Sequence, residues 1–285
     1  MASAPNVCLS LSNRPENVLV VRQVLTGVAE CLGLNALESN DLNTAVSEAC
    51  NNVVMHAYDG EEGPMDVRVY ALADGVRVVV RDRGRGIGGG EDGEGGGRPG
   101  IGMPVIEALT REASFEEPAD GGTEVRMEFA TPDARPVEPV GGAVPAHAGA
   151  GGSAPGRDGD DAGAVALKVA PEAIARAVLP RVLSTLAARA HFSTDRISDV
   201  QLVADVLAAR SGESIDGSHL GMRVSLAPRS LEVLIGPLHA GRGESLMSAA
   251  ADGLAPVVER LTDAVRVAPA DSGETLELQL VDRRP

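Results

Sequence analysis

The sequence contains an internal repeat, and this repeat constrains the fold more than any other feature. Residues 104–129, "PVIEALTREASFEEPADGGTEVRMEF", align with residues 256–280, "PVVERLTDAVRVAPADSGETLELQL", with one residue deleted and P-V, E, L-T and P-A-D shared. Upstream, residues 75–86 align with residues 230–241 in the same order. Chance similarity of two amphipathic patterns is the alternative, but an internal duplication is the simpler account. We therefore expect two copies of one fold.

The two copies flank a segment of different composition, residues 131–164, which is rich in Gly, Pro and Ala. It has few large apolar residues and no periodicity, so burial cannot offset the entropy of ordering it. We interpret it as a flexible linker. The predicted domains are residues 1–130 and residues 165–285.

The first copy alternates helical and strand patterns. Apolar residues recur at helical spacing over residues 15–32, and residues 37–57 form a second predicted helix. Residues 65–72 and 75–82 alternate as strands around a hairpin signal, and a helix and a last strand follow. Strands that meet as hairpins, with helices covering one face, predict an α+β two-layer sandwich with a mostly antiparallel sheet, duplicated along the chain.

Composition excludes several classes of function. The net charge of -16 argues against a nucleic-acid partner, because phosphate binding needs clustered Lys and Arg. Three cysteines without CxxC spacing predict neither a disulfide framework nor a zinc site. No apolar run reaches the roughly 18 residues of a membrane span, and no signal-peptide pattern opens the sequence. We expect a cytoplasmic protein that does not associate with a membrane.

Glycine-rich boxes in the first copy indicate a nucleotide site. "DRGRGIG" (82–88) follows an apolar strand, and "GRPGIGMP" (97–104) precedes a helix. Glycines let the backbone approach a ligand closely, and a helix N-terminus offers free N–H groups to phosphate. A GxG pair alone is also compatible with a flexible loop, which is our interpretation of "GGGEDGEGGG" between the boxes.

The helix that precedes the glycine-rich boxes carries a polar motif that belongs with them. In "AVSEACNNVVMHAY" (45–58), Glu48 and Asn52 are four residues apart, so a helix stacks both polar groups on one stripe. The order of motifs along the chain resembles that of the GHKL ATPases with their Bergerat-type ATP-binding fold. The motifs are, in order, this ExxxN pair, DxGxG, GxG and Gly-Thr. The His-Ala-Tyr ending is similar to that of the anti-sigma-factor serine kinases. The resemblance covers residues 6–130.

The resemblance implies a role for each matching residue. Glu48 would be the catalytic base, and Asn52 would hold Mg²⁺ through its amide oxygen. Asp82 would accept a hydrogen bond from the adenine amino group. The other nucleotide-binding residues would be Gly84, Gly86, Arg98, Gly100, Gly102 and Thr123. The glycine-rich, acidic segment between the boxes departs from the family pattern.

Other polar or sulfur-containing residues are interpreted as structural. His56 is expected to pack or hydrogen-bond rather than to catalyse, and Cys50 is expected in the core. We expect His191, His219 and His239 at the surface, because no ligand spacing links them.

The second copy lacks the ligand residues. The aligned helix offers Asp205 or Val206 for Glu48, and Ala209 or Arg210 for Asn52. Pro237 replaces the adenine-binding Asp82. We therefore predict no ATP site in residues 165–285, a copy kept for packing, for pairing with its twin or for binding a protein.

Three functions remain open at this point. The first is an anti-sigma-factor serine kinase that binds Mg-ATP, controls a sigma factor and phosphorylates a serine of an antagonist protein. The second is a non-catalytic regulatory module that binds ATP and acts by protein–protein interaction. A histidine-kinase-type ATPase is disfavoured, because no helix with a phosphoacceptor His precedes residue 6. Self-association is expected either as a homodimer or as a pair formed by the two copies of one chain.

Overall fold

A computed structural model of the chain describes residues 4–86, 102–131, 164–210, 212, 219–248, 256–270 and 273–283. The chain divides into two compact units, one formed by Val7–Pro139 and the other by Met1–Asn6 with Val140–Pro285. Both units combine helices with an antiparallel sheet, which confirms the predicted α+β class. The expected linker, residues 131–164, lies outside the described residues except for its two ends.

The first unit has five described strands and three helices. In chain order they are β1 (Val7–Ser12), α1 (Pro15–Leu32), α2 (Ala36–Asn52), β2 (Pro64–Leu72), β3 (Gly75–Asp82), α3 (Gly102–Leu109), β4 (Glu112–Glu116) and β5 (Glu124–Ala130). A π-helical turn, Val53–Ala57, extends α2 directly. Every neighbouring pair of strands in the order β4-β5-β3-β2-β1 is antiparallel.

Strand register places one apolar face of this sheet against the helices. Cross-strand partners on that face are Leu9 with Val67, Val67 with Val80, and Val80 with Val125. All four side chains are buried, as expected where strands alternate between a core face and an outer face. The helices supply the other half of the core from Val24, Leu25, Val28, Leu42 and Val46.

Among the described residues, the second unit repeats the order of the first, except that two short helices follow its third strand where one helix, α3, follows β3. It contains β6 (Val165–Val169), α4 (Glu172–Arg189), α5 (Thr194–Ala209), β7 (Leu220–Ala227), β8 (Ser230–Leu238), α6 (Arg242–Met247), α7 (Val257–Leu261), β9 (Ala264–Ala270) and β10 (Gly273–Val281). Its strands lie in the order β6-β7-β8-β10-β9 and pair antiparallel. Within the described residues, no helix combines the length and apolar character needed to cross a bilayer.

The surface expectation for the three histidines is partly wrong. His191 and His239 are exposed, but His219 is half-buried. One of its ring nitrogens lies 2.7 Å from the carbonyl oxygen of Pro5, and burial lowers the pKa of the imidazole. The sequence offered no sign of this contact, because the two residues are 214 positions apart.

Candidate functional site

Helix α2 presents the two polar residues of the ExxxN pair. A capping box starts the helix: the Asn35 side chain accepts from the N–H groups of Leu37 and Glu38, and the Glu38 carboxylate accepts from the Asn35 N–H. Glu48 and Asn52 lie one turn apart and are half-buried, so they occupy one stripe of the helix. Cys50, between them in sequence, is fully buried, as expected, and burial raises the pKa of its thiol to about 12.

Gly102, the first residue of α3, lies against both side chains. A Cβ placed on Gly102 would be 3.3 Å from each amide atom of Asn52 and 3.4 Å from Oε2 of Glu48. The structure therefore brings together the glycine box and the ExxxN pair, which are about 50 residues apart in the sequence. A carboxylate, an amide and a helix N-terminus converge at this point, and such a combination suits an anion with its counter-cation.

Asp82, at the end of β3, forms a second cluster with Gly84 and Thr123. Its side chain is buried, with 4% of its surface exposed. Oδ1 accepts hydrogen bonds from the N–H of Gly84 at 2.8 Å and from the N–H of Thr123 at 3.2 Å. Burial raises the pKa of the carboxyl, and these backbone hydrogen bonds oppose that rise. One carboxylate oxygen is thus fixed, and the buried group retains capacity to accept from a further donor.

Position 84 requires glycine, because the backbone of another segment passes very close to it. A Cβ on Gly84 would overlap the carbonyl oxygen of Ala57, at the end of the π-helical turn that extends α2. The N–H of Arg85 donates to this same carbonyl at 3.1 Å. The DxGxG box is thereby joined to the helix that carries Glu48 and Asn52. Gly86, the next glycine of the box, has φ +78°, which favours glycine.

The described residues therefore contain seven of the nine candidate positions. Glu48, Asn52 and Gly102 meet in one group, and Asp82, Gly84 and Thr123 meet in another, with Gly86 following in the chain. Arg98 and Gly100 lie outside the described residues.

Sequence reasoning assigned no role to Tyr58 and named Gly122 only as part of the Gly-Thr motif. Tyr58 contacts the DxGxG box through its hydroxyl group, which accepts from the N–H of Arg83 at 2.8 Å. Gly122, at φ +78°, is so close to the Asp82 backbone that a Cβ would overlap the Asp82 carbonyl oxygen. The His-Ala-Tyr ending of the helix was a visible signal for Tyr58, and the "GGT" stretch was one for Gly122.

Comparison with known proteins identifies relatives of the first unit. A family profile described as "Histidine kinase-like ATPase domain" matches residues 11–129. The chain is similar to the serine-protein kinase RsbW of Bacillus pumilus, with 42% identity over 27% of this chain and 49% of that protein. RsbW of Bacillus subtilis is 37% identical over 29% of this chain and 52% of that protein. The chain thus spans about half the length of these kinases.

The match to a second kind of relative is more complete. The anti-sigma F factor of Caldanaerobacter subterraneus is 31% identical over 42% of this chain and 89% of that protein. A histidine kinase domain from Erythrobacter litoralis is 25% identical over 33% of this chain and 45% of that chain, at a TM-score of 0.28. The chain belongs to the family of anti-sigma-factor serine kinases, whose domain is the histidine kinase-like ATPase domain found here over residues 11–129.

Proposed function

We propose that the first unit binds Mg-ATP and transfers the γ-phosphate to a serine of an antagonist protein, and that the chain thereby controls a sigma factor. The observation that carries this proposal is the approach of Gly102 to Glu48 and Asn52. It puts a hard oxygen ligand and a carboxylate beside the N-terminus of α3, where phosphate groups are stabilised. Names of similar proteins, serine-protein kinase and anti-sigma F factor, support the same function.

The donor set at this point fits Mg²⁺. Asn52 offers an amide oxygen, and Mg²⁺ in nucleotide sites takes few protein ligands and completes its shell with phosphate oxygens and water. The chemistry that Mg²⁺ supplies in such a site is neutralisation of charge on the phosphate oxygens.

Glu48 is proposed as the base. Its carboxylate accepts the proton of the substrate serine hydroxyl as the serine oxygen bonds to the γ-phosphorus. The bond from that phosphorus to the β–γ bridging oxygen breaks, and ADP leaves with the electron pair. Positioning and charge neutralisation account for most catalysis of this kind, and a placed base contributes about 10²- to 10⁴-fold.

Asp82 is proposed to select adenine. Its Oδ1 is held by the N–H groups of Gly84 and Thr123, so the carboxylate has a fixed orientation. A fixed acceptor can take a hydrogen bond from the exocyclic amino group of adenine, which guanine lacks at that position. Gly86 and Thr123 complete this end of the site, and Arg98 and Gly100 remain proposed nucleotide contacts on the sequence alone.

The second unit is proposed to lack a nucleotide site. Counted from the N-cap position of each helix, which is Asn35 for α2 and Ser193 for α5, Val206 stands where α2 has Glu48, and Arg210 where it has Asn52. Counted from the first residue of the strand after each two-residue hairpin loop, Pro237 stands at the position of Asp82. None of these side chains supplies a carboxylate or an amide. Titration of the full chain with Mg-ATP should therefore saturate at one nucleotide per chain; two would contradict this proposal.

Partner choice and cellular location follow from the family resemblance. A sigma factor and an antagonist protein are the proposed partners, and a sigma factor as partner implies the cytoplasm. Self-association, as a homodimer or between the two copies, stays a prediction.

The decisive experiment follows label from ATP to protein. The full chain is incubated with γ-labelled Mg-ATP and candidate antagonist proteins, beside Glu48→Gln, which keeps the size of the side chain and removes its basicity. We expect transfer to a serine in the wild type and a loss of about 100-fold or more in the variant, with Mg-ATP still bound. Binding without transfer by the wild type would instead support the non-catalytic regulatory module. Transfer undiminished in Glu48→Gln would exclude Glu48 as the base.

A further inference from the structure

Three contacts join the segment that follows α2 to the DxGxG box. The Tyr58 hydroxyl accepts from the N–H of Arg83 at 2.8 Å, and the Ala57 carbonyl accepts from the N–H of Arg85 at 3.1 Å. The side chains of Asp59 and Arg85 form an ion pair. Residues 57–59 and residues 83–85 are thus joined by both backbone and side-chain contacts.

The Tyr58 ring is held in place from its other side. The hydroxyl donates to the carbonyl oxygen of Pro64 at 2.6 Å, and a Cβ on Gly63 would overlap the ring. Burial raises the pKa of the phenol, so it remains a protonated donor at neutral pH. One hydroxyl group therefore bridges the start of β2 and the residue that follows β3.

The bridge formed by the Tyr58 hydroxyl lies next to the proposed nucleotide site. Arg83, which donates to Tyr58, lies between Asp82 and Gly84, and the Gly84 N–H donates to the Asp82 carboxylate at 2.8 Å. At the other end, Tyr58 follows the helix and π-helical turn that begin at Ala36 and carry Asn52. Of the contacts that link the two candidate groups of the site, the one made by the Tyr58 side chain lies next to the Asp82 carboxylate.

We propose that Tyr58 is a positioning residue of the nucleotide site, which fixes the Asp82 carboxylate relative to the helix that carries Glu48 and Asn52. This inference rests on the proposed function of the first unit. Tyr58 does not contact the reacting atoms; it acts through the backbone of Arg83 and Gly84. Loss of its hydroxyl should loosen the recognition of the adenine amino group more than the binding of the phosphates.

The test compares two nucleotides that differ at this amino group. ATP carries it, whereas inosine triphosphate has a carbonyl oxygen there and cannot donate to Asp82. Dissociation constants for both nucleotides with Mg²⁺ are measured on the full-length wild type and on Tyr58→Phe, which keeps the ring against Gly63. Tyr70→Phe is the matched control, because Tyr70 is the other tyrosine of the chain and lies mid-strand in β2.

We expect Tyr58→Phe to weaken Mg-ATP binding about three- to tenfold, as for loss of a typical hydrogen bond. Binding of the inosine nucleotide should change less than twofold or so, and the preference for ATP should shrink accordingly. Tyr70→Phe should leave both constants unchanged. The amide of Arg83 should exchange its hydrogen faster in nucleotide-free Tyr58→Phe than in the wild type.

Two results would overturn the inference while leaving the proposed function intact. One is an equal loss of affinity for both nucleotides, which is the signature of general destabilisation. The other is a Tyr58→Phe protein with wild-type affinity and wild-type exchange at Arg83. Failure of the wild type itself to bind Mg-ATP would instead refute the proposed function, and this inference with it.

Discussion

Asp82 and Thr123 hold each other through two hydrogen bonds across the ends of neighbouring strands. The Asp82 N–H donates to the Thr123 carbonyl oxygen at 3.0 Å, and the Thr123 N–H donates back to the Asp82 carboxylate at 3.2 Å. Backbone and side chain of one residue are thereby fixed by the backbone of another. A buried carboxylate held in this way needs no reorganisation when a donor arrives, which suits the proposed recognition of adenine.

Asp82→Asn is expected to weaken Mg-ATP binding about 10- to 150-fold, since hydrogen bonds to charged groups contribute about 1.5–3 kcal/mol. The amide oxygen can still accept from Gly84 and Thr123, but the amide nitrogen turns an acceptor into a donor that opposes the adenine amino group. Isothermal titration calorimetry measures the change. Asp74→Asn, in the exposed turn at the other end of β3, is the control and should bind as the wild type does. Equal affinities of all three proteins would rule out Asp82 as the adenine acceptor.

The same carboxyl should make stability depend on pH in an identifiable direction. Burial raises its pKa in the folded state, so the folded state holds the proton more tightly than the unfolded state, where the pKa is about 3.9. Its stabilising contribution is complete below about pH 3.9 and is lost as pH rises through the folded-state pKa. The free energy of unfolding of the wild type, minus that of Asp82→Asn, should therefore fall as pH rises through this window.

Asp74 supplies a control of opposite sign for the pH measurement. A hydrogen bond from Arg111 lowers the pKa of its carboxyl, so its contribution is present above the unfolded value and is lost as pH falls through the folded-state pKa. Urea unfolding of the wild type and both Asn variants at several pH values gives the two slopes. A flat or rising difference for Asp82 would contradict the assignment of burial as the dominant cause.

Sequence reasoning succeeded where local patterns decide the structure. The predicted helix at residues 15–32 is α1, with identical limits, because its apolar spacing, the Pro at its start and the Gly after its end agree. The strands predicted at residues 65–72 and 75–82 are β2 and β3 to within one residue, since alternation and a two-residue turn fix both.

Features set by distant contacts escaped prediction. Strand β4, "EASFE", contains residues of low strand propensity and forms only because it pairs with β5. The predicted helix at residues 37–57 ends in a π-helical turn. Over five residues, the spacing of apolar residues cannot distinguish such a turn from an α-helix. In the site, the residue types and the spacing of Glu48 and Asn52 could be recognised in the sequence. The hydrogen bond between Tyr58 and Arg83 could not, because it depends on how the chain folds.

Gly102→Ala should separate binding from stability. The added methyl group would approach Asn52 and Glu48 to 3.3–3.4 Å, so one of these side chains must shift. We expect Mg-ATP affinity to fall about fivefold, near the lower limit of overpacking effects of about 1 kcal/mol. Thermal stability should change little, because the better helix propensity of Ala at the start of α3 offsets the cost of the crowding. Glu107→Ala, exposed on the same helix, is the control. Unchanged affinity in Gly102→Ala would place the nucleotide elsewhere.

The capping box of α2 offers a test of how far the site depends on the start of its helix. Asn35→Ala removes the acceptor for the N–H groups of Leu37 and Glu38, and loss of such a cap costs about 1 kcal/mol. Asn40→Ala is the matched control, since Asn40 is exposed within the same helix and Ala favours the helical state there. Urea unfolding followed by circular dichroism should show a lower free energy of unfolding for Asn35→Ala alone. Mg-ATP affinity should stay within about twofold of the wild type in both variants, because fraying of the first turn stops short of Glu48, more than three turns further along. An affinity loss in Asn35→Ala as large as that of Gly102→Ala would show that the cap also orders the site.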